Sequence, residues 1–180
     1  MNRRSNLRLG FAMMGSVVGA CFFSIIPLLA LTKVLQHNWG IALVQLLNLL
    51  LLIWFVYLPL WRIGEKDINY VNTGHIKYDC YSGLKIGLIA MSVMYLPLIL
   101  LIIGMIQKNQ IFIAVYRIVN AVFFGIHSLF LPVMVEDFKI AHVLLTLIPP
   151  LLVPAISSLA YFLGYRRISL FTKLVYKTKK

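Results

Sequence analysis

The sequence predicts an all-α integral membrane protein: four transmembrane helices, with one further amphipathic helix that is extracytoplasmic or re-entrant. Three observations carry that expectation. Of 180 residues, 61% are hydrophobic and only 12% are charged, whereas soluble domains run at about 45–50% apolar and about 25% charged. Four stretches reach the roughly 20 apolar residues that a helix needs to cross ~30 Å of hydrocarbon. The 17 Lys and Arg, set against five Asp and Glu for a net charge of +12, gather mostly on one side of those stretches. On a soluble protein that charge would suggest nucleic acid. Between membrane helices it reports orientation first, so no nucleic-acid partner is expected.

The spans are expected at 9–31, 40–60, 85–106 and 140–164. Trp39 and Trp61 frame the second, about 33 Å apart on a helix, which suits an aromatic belt at each interface. Arg3, Arg4 and Arg8 before the first span resemble a signal peptide. The apolar run then continues through Phe22, Phe23, Ile25 and Ile26, too long for a signal h-region, so an uncleaved span is the better reading. Cys21 falls inside a span and Cys80 outside one, so no disulfide is expected.

The fifth apolar stretch, 111–134, is different. Arg117, Asn120, His127 and Ser128 fall on one side at 100° per residue, with Tyr116 beside them; Ile111, Val115, Ile118, Val122, Ile126 and Leu129 fall on the other. Such a helix either lies in the interface or spans with its polar stripe turned toward protein. With four spans and both termini cytoplasmic, Arg3, Arg4, Arg8, Arg62, Lys66, Lys77, Lys85, Arg166, Arg167, Lys173, Lys177, Lys179 and Lys180 are inside, and only Lys33, Lys108, Arg117 and Lys139 outside. A fifth span divides the remaining basic residues evenly. The positive-inside bias therefore favours a segment on the outer surface.

One membrane domain, 1–180, is expected, without a soluble appendage or internal repeat. The cytoplasmic connection 62–84 reads as a loop that becomes helical from about His75, with Thr73 as its cap. The basic tail 165–180 suits anionic lipid at the inner surface, where each Lys or Arg contributes ~1 kcal/mol. Gly15 and Gly19, and again Gly83 and Gly87, have the spacing that lets helix backbones approach. Packing within the chain is the first use for such rows, a homo-oligomer seam the second. Pro149, Pro150 and Pro154 cluster at the centre of the last span and Pro97 at the centre of the third. Each removes a backbone donor, giving a kink or a broken helix.

Sites that could carry chemistry are scarce. All five acids, Glu65, Asp67, Asp79, Glu136 and Asp137, lie outside the four spans, which argues against cation-coupled antiport and against a two-aspartate intramembrane protease. No HExxH, CxxC, GxSxG or Walker lysine occurs. Asp137 and His142 would sit about 140° apart on a helix, and Asp137 reads as a helix cap. His75, Asp79 and Cys80 fall short of a ligand set. No catalytic, cofactor-binding or metal residue is expected, and no cofactor. The candidate ligand feature is the stripe Arg117, Asn120 and His127, together with the proline break.

The strings GHIKYDCYSGLKIGLIA, YRIVNAVF and AYFLGYRRISLFTKLVYK resemble those of uncharacterised small polytopic membrane proteins of Gram-positive bacteria. The resemblance implies a bacterial plasma membrane and no particular activity. The expected role is a non-enzymatic accessory or interaction subunit of a membrane complex, with a protein partner or a second copy of the chain. The alternative is a small transporter or transporter subunit holding a polar or anionic ligand near the broken last helix.

Overall fold

The computed structural model describes residues 5–77 and 79–168. Arg3, Arg4 and most of the basic tail, with Lys173, Lys177, Lys179 and Lys180, lie outside the described residues. Four helices are long and apolar enough to cross a membrane. The first is α1 (Asn6–Ala30) and the second α2 (Asn38–Asn72). The third is α3 (Ser82–Met91) and α4 (Leu98–Ile106), joined through a tight turn at Ser92–Tyr95. The last is α7 (Ile140–Leu145) and α8 (Leu152–Tyr165), joined through Pro149–Leu151. Between them come α5 (Gln110–Val119) and α6 (Phe124–Phe130).

Residue spacing explains how α1 and α2 face the bundle. In α1 the buried residues are Gly10, Met13, Val17, Ala20, Ser24 and Leu28, and in α2 they include Val44, Asn48, Leu52, Val56, Leu60 and Gly64. Steps of three and four keep such a row on one face of a helix. The opposite faces expose Phe11, Phe22, Leu29, Leu46, Leu50 and Trp54. Water would penalise that outer surface; hydrocarbon suits it.

Glycine places the helices. A Cβ on Gly64 would lie 2.3 Å from the Tyr161 carbonyl oxygen, and one on Gly164 would lie 2.0 Å from that of Trp61. Thus α2 and α8 meet backbone to backbone, in the way small residues permit between membrane helices. Gly83 and Gly87 do the same for α3 against α8, at Tyr161, Ser157 and Pro154. Gly19 lies under the Phe55 ring of α2, whereas a Cβ on Gly15 would meet nothing within 4 Å. The expectation that Gly15 packs within the chain is corrected. It is two residues from both Met13 and Val17, about 200° around the helix from the buried row.

Three further expectations change, two of them at the end of the bundle that carries the start of α1. Helix α2 runs on to Asn72, so the first half of the 62–84 connection is helical. Thr73 ends α2 instead of capping the next helix: its hydroxyl donates to the carbonyls of Asn69 and Tyr70, and Gly74 follows in the left-handed region at φ 73°. Helix α3 begins only at Ser82, where Asp79 Oδ1 accepts from the Tyr81 N–H. The last span opens at Lys139, whose N–H is taken by His142 Nδ1 at 2.9 Å. Asp137 sits in a separate turn, Val135–Asp137, and caps nothing there.

Candidate functional site

The polar stripe occupies the far end of the bundle, opposite the start of α1. Asn109 starts α5 by accepting the Ile111 N–H at 2.9 Å. The helix stops at Asn120, turns through Ala121–Phe123 and restarts as α6, with an 88° bend between the two halves. Gln110 Nε2 reaches the Val133 carbonyl at 2.6 Å, so the two ends of the segment lie together at one end of the bundle. A segment that crossed the bilayer would hold its ends about 30 Å apart.

A single helix lying on the surface is therefore corrected to a bent pair whose junction enters the bundle. Ala121, Val122 and Phe123 have no exposed surface, and Asn120 and His127 are buried. Meanwhile Ile111, Ile118 and Leu129 are exposed, Leu129 by 84%. The polar side faces protein and most of the apolar side faces out, Val122 and Ile126 at the junction excepted, the reverse of a helix resting on water.

Arg117 and His127 have contacts within the chain, although Arg117 Nε and His127 Nδ1 are buried without a hydrogen-bond partner among the described residues. Arg117 Nη2 donates to the Pro132 carbonyl at 2.6 Å and the Leu131 carbonyl at 3.4 Å. The cation thus sits at the C-terminus of α6, where a helix dipole favours it. His127 is enclosed by the rings of Tyr116, Phe123 and Phe130, with Nε2 3.5 Å from the Tyr116 hydroxyl.

The junction is held by two residues that the sequence reading passed over. Gln45 of α2 donates from Nε2 to the Val122 carbonyl at 3.1 Å, and its Oε1 accepts from Gly125 N at 2.8 Å and Ile126 N at 3.2 Å. Asn48, one turn on, donates to the Ala121 carbonyl at 2.8 Å. These bonds serve the backbone groups that the break in the helix releases. The available signal was a pair of amides three residues apart in an otherwise apolar helix. Gly125 is part of the fit, since a Cβ there would meet the Gln45 side chain at 2.6 Å. Ser24 Oγ, Asn48 Oδ1 and Asn120 Nδ2 are buried with no hydrogen-bond partner among the described residues.

Proline shapes the middle of the bundle. Pro149 and Pro150 occupy the break of the last span, and Pro154 falls in the first turn of α8, where no N–H is required. The Tyr95 hydroxyl, in the break of the third span, donates to the Leu147 carbonyl at 3.2 Å. One interrupted helix thus completes the hydrogen bonding of the other.

The near end is open instead of filled. A cavity of about 650 Å³ is lined by Asn6 and Arg8 of α1, Lys66, Asp67, Asn69 and Tyr70 of α2, His75 and Lys77 of the connection, Ser82 of α3 and Tyr161 of α8. Asp67 Oδ2 accepts from the Tyr161 hydroxyl at 2.9 Å, and Trp61 Nε1 donates to the Ile168 carbonyl at 2.9 Å. Three cations and one carboxylate give the lining a positive balance. Nearby, the ammonium of Lys85 lies 2.8 Å from Asp79, and its hydrogen bond holds that carboxyl below the usual aspartate value. A second, shallower cavity of about 460 Å³ lies between α1 and α2. Neither cavity is lined by Arg117, Asn120 or His127. Among the described residues no three His, Cys, Asp or Glu side chains cluster for a metal.

Compared with family models, with curated proteins and with solved structures, the chain finds no match. The class defined by the fold is therefore a broad one. It is an all-helical chain, among its described residues, with four helices suited to crossing a membrane, consistent with a multi-pass membrane protein.

Proposed function

We propose that the protein is a non-enzymatic plasma-membrane protein, an accessory or interaction subunit whose cytoplasmic face receives a partner. Both termini are cytoplasmic in this reading, and 110–130 is a re-entrant pair entering from the outer side. Such a pair leaves the four-span charge distribution intact, because it returns to the side from which it came.

The observation that carries the proposal is the near-end cavity, to which α1, α2, α3, α8 and the connection all contribute. Its positive balance selects a partner that offers an acidic segment. At the far end Gln45, Asn48 and Arg117 bond to the backbone of the bent pair, and neither cavity is lined by the stripe, so it supports the alternative of a small transporter less well.

The test is affinity purification in mild detergent of the wild type, an Arg8→Gln/Lys77→Gln variant and an Arg62→Gln variant. The expected result is a protein partner retained by the wild type and by Arg62→Gln, and lost from the cavity variant. A monodisperse monomer without any retained protein overturns the proposal. A reporter fused after Lys180 checks the orientation, and an external signal refutes it.

A further inference from the structure

The cavity between α1 and α2 has a different character from the one just described. We infer that it is a binding groove for one anionic phospholipid of the leaflet into which Arg62 and Lys66 project. The groove, of about 460 Å³, is lined by Ser16 of α1 and, along α2, by Trp54, Leu58, Arg62 and Lys66, with Pro59 beside them. Residues 54, 58, 62 and 66 follow one another at steps of four, so an apolar row leads directly into a pair of cations. From Trp54 to Lys66 is about 18 Å along a helix axis, against ~15 Å for one leaflet's share of the hydrocarbon. An acyl chain fits along the apolar part while the phosphate meets the cations.

Two features favour an anionic lipid over other occupants. The lining holds two cations and no acid, and Arg62 and Lys66 form no ion pair among the described residues. A guanidinium and an ammonium one turn apart suit a phosphate. The α1 wall is low, since Gly15 leaves open space and Ser16 is small. A second copy of the chain would fit that low wall too. In a two-fold seam, however, each copy would bring its own Arg62 and Lys66 to the same depth, and like charges would oppose each other.

The experiment measures phospholipid retained by the full chain during detergent purification, followed by exchange into phosphatidylglycerol or phosphatidylcholine. The wild type is expected to retain about one phosphatidylglycerol and to prefer it over phosphatidylcholine by about thirtyfold, as two basic residues each contributing near an anionic surface imply. Arg62→Gln/Lys66→Gln should lose the preference, and Ser16→Leu, which fills the groove without touching charge, should weaken retention of both lipids. Inorganic phosphate should not compete. An unchanged preference in the double variant overturns the inference. So does efficient disulfide formation between copies at Gly15→Cys with lipid retention unaltered. Lys66 also lines the near-end cavity whereas Arg62 does not, so Arg62→Gln alone, expected to weaken the lipid preference while the protein partner stays bound, separates this inference from the partner reading.

Discussion

Gln45→Leu is the most direct probe of the bent pair. Leucine keeps the volume of the side chain and opens no cavity, but it removes three hydrogen bonds from the junction, those to Val122, Gly125 and Ile126. Side-chain hydrogen bonds between membrane helices average about 0.6 kcal/mol, which sets a floor near 2 kcal/mol. Buried backbone groups left without partners cost about 1–3 kcal/mol each, so the loss falls between about 2 and 5 kcal/mol if Asn48 and the apolar tip compensate in part. The assay is maleimide labelling of Val122→Cys, a fully buried position, in a background lacking Cys21 and Cys80. Labelling tracks the open fraction when closing is fast, so the rate should rise at least about thirtyfold, tenfold for each 1.4 kcal/mol. Labelling at Leu52→Cys, buried on the same helix, should stay unchanged. A Val122→Cys rate within about twofold of its parent refutes the reasoning, and so does an equal rise at both positions. Apolar packing alone would then hold the tip, or the whole bundle would have loosened.

Other consequences are as concrete. Gly64→Leu drives a side chain into the Tyr161 carbonyl 2.3 Å from the first added carbon, and should cost about 3 kcal/mol or more, the upper range of overpacking. Gly15→Leu meets nothing in the chain and should change stability by less than about 0.5 kcal/mol; thermal unfolding in detergent separates the two. Arg117→Met removes the bonds to Leu131 and Pro132, each worth about 1.5–3 kcal/mol for a charged donor, and should make 131–139 the first site cut by protease. The Asp79–Lys85 pair is partly exposed, which limits it to about 1 kcal/mol. Because the folded carboxyl titrates lower than a free one, its contribution is full above the ordinary value of about 3.9 and disappears as the pH falls through the lower folded value. The stability difference between wild type and Lys85→Gln should therefore be present at neutral pH and vanish in acid; a difference that is constant with pH would contradict it.

The four long apolar helices were readable from the chain because hydropathy accumulates over neighbouring residues and needs no knowledge of what lies across the bundle. The run of α2 to Asn72 was obscured by Gly64 and by the charged residues that follow Trp61, although Gly74 marks where it stops. Other features depend on a partner far along the sequence. Period alone put Asn120 and His127 on one face of 111–134, but the bend between them is held by Gln45 and Asn48, more than seventy residues earlier. Glycine spacing marked Gly15 and Gly19 equally, although one faces out and the other lies under Phe55. The close approach of α2 and α8 rests on Gly64 and Gly164, two single glycines on different helices that leave no local pattern.

Composition and periodicity therefore established a bundle of long apolar helices, one stretch with two unlike sides, and acids kept out of the apolar runs. These are properties of the chain taken a few turns at a time. The direction in which the two-sided stretch turns, and its bend into the bundle, follow from hydrogen bonds that α2 supplies to a broken backbone. The open near-end cavity likewise exists only where α1, α2, α3, α8 and the connection converge. A polar group in an apolar setting takes the partner that geometry brings within reach, and that geometry is absent until the helices have packed.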